Sequence, residues 1–458
     1  MYPLARAIAG VALRWYYRDI QVEGLARIPR ERPLLLVVNH PNALVDALLV
    51  VWLVPRRVLI TAKATIFRNP VGGALLRWFG VVPLRRASDE VQQGGSPRPA
   101  RNKETFKAVY GALRRKGTVL IFPEGKSHDE PSLAPLKTGA ARMALYAHET
   151  GGVADLAIVP IGLTFERKEA PRTRVLVQIG EPIVLDSWRA TPGVPAADAL
   201  TAEIDVRLRA VTLNYPSVDD AARAVRLATL IAALFEQAPS TGRVDRGLGV
   251  EMAIARRIDE LSIRLRDADD ALRRQADQLV RRLDAVEHVA ANHGVAIEDV
   301  GISLAPQRAL RFVLREGWLL LLGGPIAVWG RVNHWLPFRA ARAIAMRSID
   351  SAADPAMRTL IAGTAFVTLT YLAQSVLVAV FWGMTAGLLY LISLPIAADI
   401  NFSLSDRLRR AVQRARTFLR FRRDPGLQLR LSEELASLRE DVLAFDRALG
   451  GQRSATTV

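Results

Sequence analysis

The chain has 458 residues, half of them hydrophobic, with 62 Lys and Arg against 45 Asp and Glu and no cysteine. The length predicts two to four domains, and the lack of cysteine excludes disulfide bracing, thiolate catalysis and cysteine-based zinc sites. The six histidines show no HExxH-like spacing, so no metal is expected. The formal net charge of +17 calls for an anionic partner, either nucleic acid or a membrane surface with anionic substrates. Thr359 to Ala398 carries no charged residue and no histidine, enough for two crossings or an inserted hairpin at about 20 residues per crossing. This decides for the membrane.

In chain order, Leu4 to Tyr17 is apolar but broken by Arg6 and Arg14, which predicts an interfacial helix over residues 1–19 rather than a cleaved export signal. Ile20 to Val22 reads as a short strand. Leu34 to Val38 is five apolar residues long, a buried strand of a parallel sheet, and Pro41 stops its ladder. Asn42 then serves as N-cap of a helix from Ala43 to Val54 that carries Asp46 in its first turn. A histidine, His40, and a carboxylate thus converge at the carboxyl end of a strand, where open α/β sheets keep their reactive groups. An imidazole whose second nitrogen is held by a carboxylate has a fixed tautomer and takes a proton from a hydroxyl. Capping and hydrogen bonding alone would also explain the pair.

Val58 to Thr61 reads as the next strand, delivering Lys63, and Gly80 to Arg86 as a third, ending on two arginines. Between Arg56 and Lys116, fourteen Lys and Arg stand against three acidic residues, a local net charge of +11. Lys63 and Arg86 follow strands on the side of His40, and cations so placed make a phosphate cradle. Asn102 to Arg115 is an amphipathic helix. Val119 to Phe122 is a buried strand, followed by the polar loop Pro123-Glu124-Gly125-Lys126-Ser127-His128-Asp129. Lys137, in Leu136-Lys137-Thr138-Gly139, precedes a helix N-terminus able to face an anion. Asp155 to Phe165, with Val159-Pro160-Ile161-Gly162, and Arg174 to Ile179 complete the strands. Strand and helix alternate over 20–190, an α/β domain with a mixed, largely parallel sheet.

Four blocks then carry a family pattern: Asn39-His40-Pro41-Asn42-Ala43-Leu44-Val45-Asp46; Gly80 through Arg86; Phe122-Pro123-Glu124-Gly125 with Leu136-Lys137-Thr138-Gly139; and Val159-Pro160-Ile161-Gly162. In this order they resemble the glycerolipid acyltransferases of the lysophosphatidate acyltransferase type, closest to the fungal-type glycerol-3-phosphate and dihydroxyacetone-phosphate acyltransferases. The resemblance implies His40 as general base with Asp46 orienting it. It implies Arg86, helped by Lys63, as ligands of the acceptor phosphate, Glu124 and Gly125 as shapers of the acceptor site, and Pro160 as support on the acyl-donor side. Five residues separate His40 from Asp46 where many members have four, and Lys-Ser-His-Asp follows Gly125 where bacterial members commonly have Thr-Arg-Ser.

The remaining half reads as all-α, with membrane-embedded hairpins. Residues 191–310 form a helical, heptad-like region through Ile254, Ile258, Leu261, Leu265, Ala268, Leu272 and Leu279, and 401–458 form a basic helical region with Leu431, Leu435, Leu438, Val442, Phe445 and Leu449. Two long helices packed as a hairpin are expected, with a coiled-coil homodimer as the alternative. Within 311–400, Gly317 to Gly330 contains Gly323-Gly324-Pro325 and reads as re-entrant or interfacial, with His334 and Trp335 as interfacial anchors. Positive charge on every flank predicts hairpins whose ends stay on the cytoplasmic face of the cell membrane. The function expected is transfer of a fatty acyl group from acyl-CoA or acyl-carrier protein to glycerol 3-phosphate in phospholipid biosynthesis, with no resident cofactor and no nucleic acid. The alternatives are acylation of a lysophospholipid such as lysophosphatidate and, in another class, a non-enzymatic lipid-binding scaffold.

Overall fold

A computed structural model describes residues 2–63, 81–84, 102–235, 247–347 and 355–451. It divides into two compact units, Met1–Ser217 with Ala345–Ile361, and Val218–Ile344 with Ala362–Val458.

Among the described residues, the first unit is built on a mixed sheet of eight strands: β1 (Asp19–Glu23), β2 (Leu34–Val38), β3 (Val58–Lys63), β4 (Val81–Leu84), β5 (Thr118–Ile121), β6 (Ala157–Phe165), β7 (Arg174–Ile179) and β8 (Ile183–Val184). Their order is β1-β7-β6-β2-β5-β3-β4, with β8 beside β6. All pairings are parallel except those of β6 with β7 and with β8. β2 is central and buried at every residue, as its unbroken Leu and Val run requires of a strand covered on both faces.

Alternate side chains of β2 serve opposite cores. Leu34, Leu36 and Val38 pack with Leu13, Tyr16 and Tyr17 of the N-terminal segment and with Val45, Leu49 and Val50. These come from α1 (Tyr2–Tyr16) and α2 (Ala43–Leu53). Leu35 and Val37 pack on the other face with Val109 and Leu113 of α3 (Asn102–Arg114), Ala140, Ala141 and Met143 of α4 (Gly139–Leu145), and Leu200 and Ile204 of α5 (Ala196–Arg209). The unit therefore runs on to Ser217, past residue 190, because α5 is needed to cover the sheet. The inner face of α1 is equally committed, while Leu4, Ile8 and Val11 remain exposed.

The second unit is helical: α6 (Val218–Phe235), α7 (Leu248–Arg266), α8 (Asp270–Asn292), α9 (Pro306–Arg347), α10 (Pro355–Trp382, most of which lies here), α11 (Met384–Arg423) and α12 (Pro425–Gly451). The heptad run from Ile254 to Leu279 is not one helix. It breaks at Asp267–Asp269, where the Asp269 carboxylate accepts the Leu272 N–H at 2.8 Å and caps α8. Leu279, Leu283 and Val286 of α8 then bury against Leu427, Leu431, Leu435 and Leu438 of α12. Of the two predicted stripes, Leu279 of the first and Leu431, Leu435 and Leu438 of the second thus pack against each other within one chain.

Among the described residues, three helices are long and apolar enough to cross a membrane, over Pro306–Ala340, Gly363–Trp382 and Met384–Arg423. The uncharged run divides at Gly383, whose φ of 90° lets the chain reverse between α10 and α11. Gly317 to Gly330, expected to be re-entrant or interfacial, lies inside α9, which runs on unbroken through Pro325 and Pro337 and so does not turn back there. At 1.5 Å per residue its 42 residues reach about 63 Å, so the positive ends of α9 lie far apart. His334 is no surface anchor. It is buried, its Nδ1 lies 2.5 Å from the Gly330 carbonyl, and its Nε2 meets the Tyr371 hydroxyl. Trp335 is exposed.

At Gly330 a Cβ would run into the backbone of Ala397 on α11, whereas Gly324 of the same helix faces open space. Gly330→Ala should therefore destabilise the bundle by about 1–3 kcal/mol through overpacking. Gly324→Ala should be neutral or stabilising by up to about 1 kcal/mol through helix propensity. Thermal unfolding of both variants in one detergent checks the contrast.

Candidate active site

Strand register assembles the site. Leu36 pairs with Leu120 and Val37 with Ile121 between the parallel strands β2 and β5, so His40 and Glu124, three residues beyond the last pair, leave the sheet side by side. On the other flank of β2, Val38 pairs with Ile161 of β6. There Asn39 extends the sheet with its side chain: Nδ2 donates to the Leu163 carbonyl at 3.0 Å and Oδ1 accepts the Leu163 N–H at 2.7 Å. This amide clamp replaces the backbone ladder that Pro41 prevents, and it fixes the chain one residue before His40.

His40 is held on three sides. Its Nδ1 lies 2.9 Å from Asp46 Oδ2, its backbone N–H donates to Glu124 Oε1 at 2.7 Å, and its ring stacks on Phe122, centroids 3.8 Å apart and planes 11° off parallel. Asp46 is fully buried, and the same Oδ2 accepts the Asn42 N–H at 2.7 Å. With Nδ1 turned to a carboxylate, that nitrogen carries the proton and Nε2 keeps a lone pair. The His40 side chain retains 17% exposure, so an incoming hydroxyl can reach the ring.

Asn42 does not cap α2 with its side chain. Its Nδ2 donates instead to the Tyr17 hydroxyl and the Lys168 carbonyl, while its backbone N–H is taken by Asp46. Ala43 adopts φ 46°, a conformation few residues other than glycine accept, and the Asn42 carbonyl closes the turn on the Val45 N–H at 3.0 Å.

The loop after β5 is stitched to the His40 loop. The Ser127 hydroxyl accepts the Ala43 N–H at 3.2 Å, and the His128 N–H donates to the His40 carbonyl at 3.3 Å. Glu124 is buried, and its Oε2 accepts the Ala134 N–H at 2.8 Å and contacts His128 Nε2. Since His128 Nδ1 accepts the Glu130 N–H at 3.2 Å, its proton sits on Nε2 and is donated to Glu124. Lys168 closes the assembly, with Nζ 3.1 Å from the Pro41 carbonyl and paired with Asp129.

Gly125, at φ 74°, lies directly beneath the Lys137 side chain, which a Cβ would strike. Lys137 is exposed, its backbone N–H bonded to the Pro123 carbonyl at 2.9 Å. Lys63 is the last residue of β3, in register with Leu84 of β4, and so belongs to the same rim as Asn39 and Pro123. Arg86 lies outside the described residues. Pro160 is buried within β6, opposite Val37 and packed against Gly180. Asn39, Phe122, Ser127, His128 and Lys168 belong to this network as well. The first two carry a legible signal, a polar residue and a ring where buried strands end, while nothing in its neighbourhood marks Lys168.

The Acyltransferase family model matches residues 19–164. Glycerol-3-phosphate O-acyltransferase 2 of Saccharomyces cerevisiae is 41% identical over 123 residues, 26% of this chain and 16% of the yeast protein. The 1-acyl-sn-glycerol-3-phosphate acyltransferase of Cocos nucifera is 29% identical over 190 residues, 40% of this chain and 55% of the other. The match thus spans less than two thirds of either relative. Among solved structures, the 1-acyl-sn-glycerophosphate (LPA) acyltransferase of Thermotoga maritima is similar at a TM-score of 0.34 and 20% identity, over 45% of this chain and 77% of that one.

Removing the Glu124 carboxylate strands three donors at once. Glu124→Ala should destabilise the first unit by about 3 kcal/mol, given about 1–3 kcal/mol for each buried group left unpaired. Chemical denaturation, with protease protection of the 123–134 loop, measures it.

Proposed function

We propose that this chain is a membrane-bound O-acyltransferase moving a fatty acyl group from a thioester to glycerol 3-phosphate, a reading supported by the match of residues 19–164 to the Acyltransferase model and by the similarity to the yeast and coconut enzymes. The observation that carries this reading is the contact of His40 with the buried Asp46 at 2.9 Å. Nε2 of His40 takes the proton of the acceptor hydroxyl as the oxygen attacks the thioester carbonyl. The tetrahedral intermediate collapses by breaking the carbon–sulfur bond, and the imidazolium returns its proton to the departing thiolate. Asp46 stabilises the imidazolium between these steps, and Phe122 holds the ring plane. Such proton transfer contributes about 10²–10⁴ in rate.

Lys63, Lys137 and Arg86 supply cations for the acceptor phosphate, which keep the hydroxyl in line with the carbonyl. Glu124 and Gly125 shape the acceptor side, Glu124 by fixing the His40 backbone, and Pro160 supports the acyl-donor side. No resident cofactor enters, since acyl-CoA or acyl-carrier protein brings the activated acyl group. The reading puts the acyltransferase unit at the cytoplasmic face of the membrane, the side to which positive charge flanking apolar helices points. Similarity to the coconut enzyme favours 1-acylglycerol 3-phosphate as a second acceptor, because both acceptors present a hydroxyl near a phosphate.

His40→Ala and Asp46→Asn should each lower acyl transfer by about 10²–10⁴-fold without loss of expression. Unchanged transfer by purified His40→Ala would exclude this mechanism. Arg86→Ala should chiefly raise the acceptor KM, and an unaltered KM would move the phosphate to other cations. Labelled acyl-CoA offered with glycerol 3-phosphate, dihydroxyacetone phosphate and lysophosphatidate in parallel identifies the acceptor.

A further inference from the structure

We propose that α9 and α11 together present an arginine surface that binds the phosphate groups of anionic phospholipids at the edge of the apolar layer. The two helices meet where Glu316 takes Arg407 in a two-pronged ion pair, Oε2 to Nε at 2.6 Å and Oε1 to Nη2 at 2.9 Å. Towards the apolar side, Trp318, Leu321 and Leu322 of α9 and Ile396, Ile392 and Leu389 of α11 are all exposed. Glu316 and Arg407 therefore mark where the surface changes from uncharged and apolar to mixed arginine and apolar.

Beyond that boundary arginines follow on both helices: Arg315 and Arg311 on α9, Arg409 and Arg410 on α11, all exposed. Counting Arg407, five arginines face two acids, Glu316 and Asp406. Glu316 is also bonded to Arg315 at 2.9 Å, and Asp406 to Arg409 at 2.8 Å. At 1.5 Å per residue, Arg311 lies about 7 Å and Arg410 about 5 Å along the axis from the boundary. A headgroup layer is about 5–8 Å deep on each side of the hydrocarbon, so both guanidinium groups fall within it.

A second observation selects lipid over a soluble anion. Large apolar side chains alternate with these arginines and stand open, Leu310, Val313 and Leu314 on α9 at 59–63% exposure and Leu408 and Val412 on α11 at 41%. In water such a surface is a liability. In the headgroup layer the apolar side chains reach the acyl boundary while the guanidinium groups bond phosphate. An arginine-rich segment flanking a span, carrying excess positive charge, complements an anionic leaflet.

The surface lies outside the acyltransferase domain, so its test reads lipid binding and does not depend on turnover. Full-length protein in neutral detergent is titrated with phosphatidylglycerol or phosphatidylcholine, and bound lipid is counted by native mass spectrometry. At low salt the wild type should bind phosphatidylglycerol at least tenfold more tightly, with the preference shrinking in high salt as screening predicts. The triple variant Arg311→Gln, Arg409→Gln, Arg410→Gln should bind the two lipids within about twofold of each other. The matching triple Lys variant should keep most of the preference. If the triple Gln variant does not fold, Arg311→Gln and Arg410→Gln, singly and on separate helices, should each reduce it. A wild type without preference, or Gln variants that retain it in full, overturns the proposal.

Discussion

One carboxylate oxygen holds the active loop together. Oδ2 of Asp46, fully shielded from water, accepts both the Nδ1 proton of His40 and the backbone N–H of Asn42. A buried carboxylate is costly unless donors surround it, so each donor is also a reason for the loop to keep its shape. The ring cannot turn away without exposing an uncompensated charge. The helix that carries Asp46 cannot shift without leaving Val45, Leu49 and Val50 out of the core beneath. The geometry of the His40–Asp46 pair and the folding energy thus rest on the same contacts, and the sheet beneath supplies the rigidity that a loop lacks.

Glu124 performs a similar service from the neighbouring strand end, but on the backbone. It takes the His40 N–H and the Ala134 N–H and meets the protonated nitrogen of His128. The two carboxylates divide the labour, one setting the tautomer of the ring and the other the position of its main chain. The departure after Gly125, with His128 in place of the commoner sequence, belongs to this brace.

The sheet was legible because its strands are short, apolar and β-branched between turn residues, and β2, β5 and β6 fall where periodicity puts them. The pairing of His40 with Asp46 was legible from spacing. The partners made through backbone atoms were not, since a side chain that bonds a distant carbonyl, as Asn39 and Lys168 do, leaves no pattern along the chain. The side-chain capping role given to Asn42 failed because its amide is engaged by Tyr17 and the Lys168 carbonyl, partners that are distant in the sequence. In the helical unit, periodicity gave the apolar faces, but the break before Asp269 came from a local cap. The glycine–proline run of α9 suggested a re-entrant loop, yet its backbone stays helical, since a helix in an apolar surrounding has few other ways to satisfy its polar groups.

Ala43, midway between His40 and Asp46, takes a left-handed kink at φ 46° while the imidazole and carboxylate keep their contact. A five-residue interval is therefore compatible with the imidazole–carboxylate contact, at the cost of one residue outside the usual backbone regions.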